Sequence, residues 1–202
     1  MKKYSRQSSE AMIMDYKKNV PAKINALFEK RLVDAAFISS IKAKNHKYSN
    51  LGIVAKKDVW SVLVIPDDTY VSDIESATSN LLCKLLNIKG EVLIGDKALR
   101  YYLTGAPRVD LAQEWNNRYH LPFVFAALSY HKHTRKIKNI ENKFLKARTK
   151  IPQYILKSAA KKTKIKEQDI LNYLTKISYH IDIKAKLGLK KFYRMSAAKN
   201  LN

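Results

Sequence analysis

Cysteine occurs once in this chain, at Cys83, inside an apolar stretch. A single thiol builds neither an intrachain disulfide framework nor a cysteine metal site, and a reducing compartment, the cytoplasm, is expected. Glycine and proline are equally scarce, at five each in 202 residues, which excludes fibrous repeats and Gly/Pro-rich low complexity. Long apolar runs are missing too. The longest, around Phe123 to Leu128, falls far short of the roughly 20 residues that a membrane-spanning helix requires. The opening MKKYSRQSSEAMIMDYKK lacks the apolar core of a signal peptide.

Acidic residues are few, 17 against 39 Lys and Arg, for a formal charge of +22. The excess is uneven. Residues 1–64 carry 13 basic against 5 acidic side chains, residues 65–130 carry 6 against 8, and residues 131–202 carry 20 against 4. Such a tail invites a nucleic-acid reading, but its lysines lack aromatic interleaving and match no recognition motif, so that reading ranks last. Lysines on helices read as a solvated face, and their field draws a small dianion inward. The sequence also lacks G-x-x-x-x-G-K-[ST], G-x-G-x-x-G, G-x-S-x-G and H-E-x-x-H, which removes support for phosphate cradles, dinucleotide folds, esterases and zincins. His131 and His133, two apart, read as surface residues with no third metal ligand nearby.

What is present describes a folded α/β chain, 46% hydrophobic and 28% charged. Pro21 opens a helix carrying Ile24, Leu27 and Phe28 at helical spacing. Val33 to Ile38 then reads as a strand buried on both faces and ending in Ser39-Ser40, the pattern of a parallel sheet. Leu51 to Ala55 and Val59 to Ile65 are further strands, the second stopped by Pro66-Asp67-Asp68. Ser76-Ala77-Thr78-Ser79 precedes a helix with Leu81, Leu82, Leu85 and Leu86, closed by Lys89-Gly90. Glu91 to Gly95 is a strand, Asp96 stands at an N-cap position, and Gly105 ends the following helix. A helix with Leu111 and Trp115 and a strand from Pro122 to Leu128 come next; Trp60, Trp115 and Tyr101-Tyr102 read as core. From Arg135 onward the pattern is helical, with Gly188 a candidate break. The expected layout is two lobes, 1–64 plus 122–202 with the C-terminal helices, and 65–121.

Two hydroxyl clusters stand out. Ser39-Ser40 lies at a strand's carboxyl end, where its hydroxyls and backbone N–H groups either bind an oxyanion or cap the next turn. Ser76 to Ser79 puts three hydroxyl residues at a helix start, more than one cap requires, beside unpaired N–H donors that suit a carboxylate. Asp96 reads either as a helix cap or as a polar group facing a cleft with Gly95.

Several blocks carry a resemblance. VPAKINALF (20–28), VDAAFISSI (33–41), ESATSN (75–80), VLIGDKAL (92–99) and DLAQEWNNRYHLPFVFA (110–126) resemble, in order and spacing, the chorismate dehydratases of the futalosine route to menaquinone. IPQYIL and DILNYL are similar to lysine-rich ε-proteobacterial members. The resemblance implies a periplasmic-binding-protein type II-like α/β fold, two lobes with a ligand cleft between them. It also implies a lyase that removes water from chorismate to give 3-[(1-carboxyvinyl)oxy]benzoate and uses no metal or redox cofactor. Binding by Ser39, Ser40, Ser76, Ala77, Thr78, Ser79, Gly95 and Asp96 follows, with Asp96 and Glu75 as acid/base candidates. The chain departs from the family at its start, where the usual N-terminal strand is not recognisable. A non-catalytic carboxylate-binding protein of the same fold is therefore the rival expectation.

Overall fold

The computed structural model describes residues 19–147 and 150–199. The expectation about the N-terminal strand falls on residues outside that set. In chain order the elements are α1 (Pro21–Glu29), β1 (Ala35–Ser39), α2 (Ser40–Ala43), β2 (Tyr48–Ala55), β3 (Val62–Pro66), β4 (Tyr70–Val71), α3 (Ala77–Leu85), β5 (Gly90–Ile94), α4 (Gly95–Leu103), β6 (Val109–Asp110), α5 (Leu111–Tyr119), β7 (Phe123–Tyr130), α6 (Thr134–Lys146), α7 (Gln153–Thr163), α8 (Glu167–Leu174), β8 (Ile177–His180) and α9 (Ile183–Ala198).

The strands form two four-stranded sheets, one ordered β1-β7-β2-β8 and the other β4-β5-β3-β6. The expected parallel pairing is corrected here. Strand β7 runs antiparallel to both β1 (Ile38 opposite Ala127) and β2 (Gly52 opposite Ala127), and β3 runs antiparallel to β5 (Val64 opposite Val92). Among the described residues only β4 and β5 pair in parallel. A continuous apolar run records burial but not strand direction, which depends on where the chain re-enters the sheet. Strand β1 lies at a sheet edge, so Phe37 is 41% exposed and the strand is not buried on both faces.

Further differences are local. The helix after Ser76 ends at Leu85 with Asn87 at φ +54°, ahead of Lys89-Gly90. Gly90 instead opens β5 at φ +138°, where a Cβ would lie 2.0 Å from the Ile65 carbonyl oxygen. The helical reading of the tail misses β8, which pairs with β2. Helix α9 continues through Gly188 without a break, because Gly188 is where the helix meets the backbone of Pro122. His131, expected at the surface, is half-buried just beyond β7. It stacks on Phe28 with ring centroids 4.0 Å apart, and its Nε2 lies 2.9 Å from the Phe28 carbonyl oxygen.

The apolar cores do not respect the division into sheets. Ala55, Phe123 and Phe125 from the first sheet share one cluster with Val62, Val64 and Val92 from the second, filled in by Leu82, Leu86, Trp115 and Phe192. A second cluster packs α1 and α9 on the first sheet through Phe28, Ile38, Val124, Ala185 and Leu189. Helices α7 and α8 dock elsewhere, with Leu156 and Ile170 against Leu99 of α4 and Trp60. Cys83 is buried in the shared cluster, where burial pushes its thiol up to about 11, and it donates to the Ile88 carbonyl. Among the described residues no helix is long and apolar enough to cross a membrane.

The chain passes between sheets twice, through residues 56–61 and through α5. Both passages meet at Asp110. Its Oδ1 accepts from Ala112 N (3.0 Å) and Gln113 N (3.1 Å), which caps α5, and its Oδ2 accepts from Val59 N (2.9 Å) and Trp60 N (2.8 Å). Trp60 sits at φ +64°, a conformation that costs a non-glycine residue roughly 1–2 kcal/mol. Further restraints hold it there. Its Nε1 donates to Asp58 (2.5 Å), its ring stacks on Tyr102 at 4.7 Å, and Lys176 bonds Asp58 at 2.9 Å while covering the indole. Burial pushes the Asp58 carboxyl up, but the Lys176 ammonium and the indole donor outweigh it and hold the group below the usual carboxylate range.

Two substitutions test this account by urea unfolding. Asp110→Ala strands buried N–H donors in both passages and should cost about 3 kcal/mol, with Asp110→Asn, which keeps one acceptor oxygen, falling between it and the parent. Gly188→Ala should destabilise by about 1–3 kcal/mol despite the better helix propensity of alanine, because the added Cβ would sit 2.1 Å from the Pro122 oxygen.

Candidate functional site

The two hydroxyl clusters meet. Ser39 ends β1 and Ser40 begins α2, while Ser76 is the N-cap of α3, so a strand-to-helix turn of one sheet faces a helix start of the other. The contact is direct: Ser40 Oγ lies 3.3 Å from Thr78 Oγ1, and the same Thr78 oxygen accepts from Ile41 N at 3.3 Å. Ser40 and Thr78 are 0% and 2% exposed. Tyr193 of α9 closes the group by donating to the Ser40 carbonyl at 2.8 Å, and burial pushes its phenol well up.

Each cluster is held by its own neighbours. Asn25 of α1 donates from Nδ2 to Ser39 Oγ (2.6 Å) and accepts from Ser39 N (3.0 Å). Ser76 Oγ donates to Ser79 Oγ (2.7 Å) and accepts from Ser79 N (3.2 Å), the ordinary N-cap bond. Ala77 is exposed and Ser79 buried. The segment ahead of α3 is a closed loop, since Asp73 N donates to Asn80 Oδ1 (2.9 Å), Asn80 Nδ2 donates to the Asp73 carbonyl (2.6 Å), and Glu75 N donates to Asp73 Oδ1 (2.8 Å). Glu75 itself is half-buried just before the cap.

The start of α4 flanks this loop. Lys97 Nζ pairs with Asp73 Oδ2 at 3.2 Å, which ties the first turn of α4 to the loop ahead of α3. Asp96 is not the N-cap. Ile94 holds that position, because Gly95, at φ +63°, turns the chain out of β5 into the helix, and Asp96 falls in the first turn, exposed. Gly95 is also exposed, and its N–H donates to the Ser61 carbonyl at 2.9 Å. Ser61 Oγ in turn accepts from Tyr173 of α8 at 3.1 Å, and burial pushes the Tyr173 phenol up, with nearby Tyr179 and Asp96 adding to the shift. The structure thus gathers Ser39, Ser40, Glu75, Ser76, Ala77, Thr78 and Ser79 at one junction, with Gly95 and Asp96 one helix start away.

Chemically the junction is a meeting of helix starts. Backbone N–H groups at such ends are unpaired within their helices and carry a partial positive charge, which suits a carboxylate. Sequence reasoning missed Asn25, Tyr193, Asp110 and the Asp73–Lys97 pair. Asn25 left a signal, as a polar residue beside Ile24 and Phe28 on a buried helix face. Asp110 left another, as an Asp with Gln113 three residues on, the spacing of a capping box. Tyr193 left none, since its partner is 153 positions away.

Residues 87–198 match the family described as Menaquinone biosynthesis. Over its whole length the chain is 43% identical to the chorismate dehydratase of Campylobacter jejuni subsp. jejuni serotype O:23/36 (strain 81-176), covering 92% of that protein. Over 86% of its length it is 26% identical to the chorismate dehydratase of Thermus thermophilus, covering 83% of it. Protein AF1704 of Archaeoglobus fulgidus shares the fold at a TM-score of 0.64 and 16% identity, over 91% of this chain and 86% of that one. With near-half identity sustained from end to end, and the resemblance of the separate sequence blocks behind it, the chain belongs to the chorismate dehydratase family of menaquinone biosynthesis.

Proposed function

We propose that this protein removes water from chorismate to give 3-[(1-carboxyvinyl)oxy]benzoate, in the cytoplasm, as a step of menaquinone biosynthesis. The full-length identity to the Campylobacter enzyme carries the reading. The reaction takes a proton from the ring carbon bearing the enolpyruvyl ether and hydroxide from its neighbour, leaving an aromatic ring. Aromatisation drives it, so the protein's work is to bind a dianion, orient it and assist the departing hydroxide.

In this reading the two sheets belong to two lobes of a periplasmic-binding-protein type II-like fold, residues 1–64 with 122–202 and residues 65–121, except that Val62 to Val64 of β3 join the second sheet and α7 and α8 pack against α4. The two passages between the sheets support it. The Ser40–Thr78 contact is then the place that substrate enters, its carboxylate replacing the hydrogen bond between the two hydroxyls. Ser39, Ser40, Ser76, Ala77, Thr78, Ser79, Gly95 and Asp96 form the binding group. Asp96 and Glu75, the carboxylates next to the helix starts, are the acid/base candidates.

Two measurements test the reading. Purified protein mixed with chorismate should produce the aromatic ether, seen as an ultraviolet change and a mass lower by one water; binding without turnover would instead favour the non-catalytic rival. Thr78→Val keeps the side chain's shape but removes its hydroxyl, so it should cost about 1 kcal/mol of stability and raise the KM for chorismate roughly tenfold. An unchanged KM would remove Thr78 from the site.

A further inference from the structure

Lys97 is the basic side chain of residues 65–130 that stands at the N-terminal end of α3. The other five are placed differently. Lys84 lies in the last turn of α3 and Lys89 beyond its C-cap. Arg100 donates to the Thr163 carbonyl, Arg108 to the Ala106 carbonyl, and Arg118 to Glu114 and the Leu86 carbonyl.

The partner of Lys97 is a carboxylate that cannot move away. The Asp73 side chain is 4% exposed, against 58% for Lys97, with 3.2 Å between them. Asp73 is pinned by Glu75 N and by both ends of the Asn80 amide, and its carbonyl accepts from Ser76 N at 3.4 Å. A buried negative charge is thus fixed next to the helix start proposed to receive a carboxylate. At that start Ser79 N and Asn80 N are taken by Ser76, whereas Ala77 N and Thr78 N donate to no group among the described residues. Glu75 and Asp96 add negative charge nearby. Without compensation, such charges repel a dianion from the donors meant for it.

We propose that Lys97 is a positioning residue for substrate binding: by cancelling the buried charge of Asp73 it keeps the start of α3 receptive to a carboxylate. The inference rests on the chorismate reading for its substrate. It differs from a purely structural ion pair in what its loss does: the effect falls on KM and is relieved by removing the Asp73 charge, whereas a structural role would show in stability alone.

The experiment compares Lys97→Met, Lys97→Arg and the double variant Lys97→Met/Asp73→Asn. Lys97→Met should raise the KM for chorismate about tenfold with kcat within about twofold, while the fold stays intact by circular dichroism. Lys97→Arg should stay near the parent. The double variant should recover most of the lost affinity, since no charge is left to cancel. An unchanged KM in Lys97→Met overturns the proposal, and so does a double variant as poor as the single, which would assign Lys97 a direct contact. Benzene-1,3-dicarboxylate, followed by thermal shift at constant ionic strength, separates this from the fate of the proposed reaction. If the parent does not turn over chorismate yet its stabilisation by the dicarboxylate falls in Lys97→Met and returns in the double variant, the reaction fails and the role of Lys97 stands. Equal stabilisation of parent, single and double variants overturns it.

Discussion

The carboxylate of Asp110 receives four backbone N–H groups from two segments some fifty residues apart, and the arrangement of the two sheets depends on it. One oxygen starts α5, which returns the chain to the first sheet. The other holds Val59 and Trp60 at the outgoing passage, where Trp60 occupies a backbone conformation that it would not keep unaided. Burial pushes this carboxyl above its ordinary value while the N–H donors pull it down, so the group is desolvated and well partnered at once. Because each oxygen serves a different passage, one side chain ties the outgoing passage to the returning one.

That geometry makes the candidate site possible. Ser40 and Thr78 belong to helix starts of different sheets; they lie 3.3 Å apart, and the shared cluster around Trp115, Phe123 and Phe192 packs the two sheets together. Ring packing does much of this work: Phe192 meets Phe123 at 5.1 Å and Trp115 at 6.4 Å, in edge-on contacts typical of buried aromatics. Tyr193, next in sequence to Phe192, donates to the Ser40 carbonyl. Core and site are therefore tied through adjacent positions of α9.

Much of this was legible in the sequence. The helix after Ser76 and the strand from Phe123 were readable because periodicity and capping are local properties, written within ten residues. Strand β8 was not. Its four residues, ISYH, lie at a sheet edge, partly exposed, and owe their conformation to β2. Strand direction was equally invisible, since Val33 to Ile38 is as apolar in an antiparallel edge as in a parallel centre. Asp96 was read as the cap two positions beyond Ile94, which holds it, because Gly95 adopts a turn that composition does not specify. His131, read as a surface residue, stacks on a ring more than a hundred positions away.

The sequence by itself determined most of the helices, where most strands lie, which hydroxyls crowd a helix start, and, through its blocks, the family. Those follow from spacing and side-chain chemistry that neighbouring residues share. Only the tertiary structure decided that the two hydroxyl clusters touch, that Asp110 joins both passages, and that Lys97 pairs with a buried Asp73. Each of these is a meeting of groups far apart in the chain, brought together by the burial of apolar surface, and no local pattern records it.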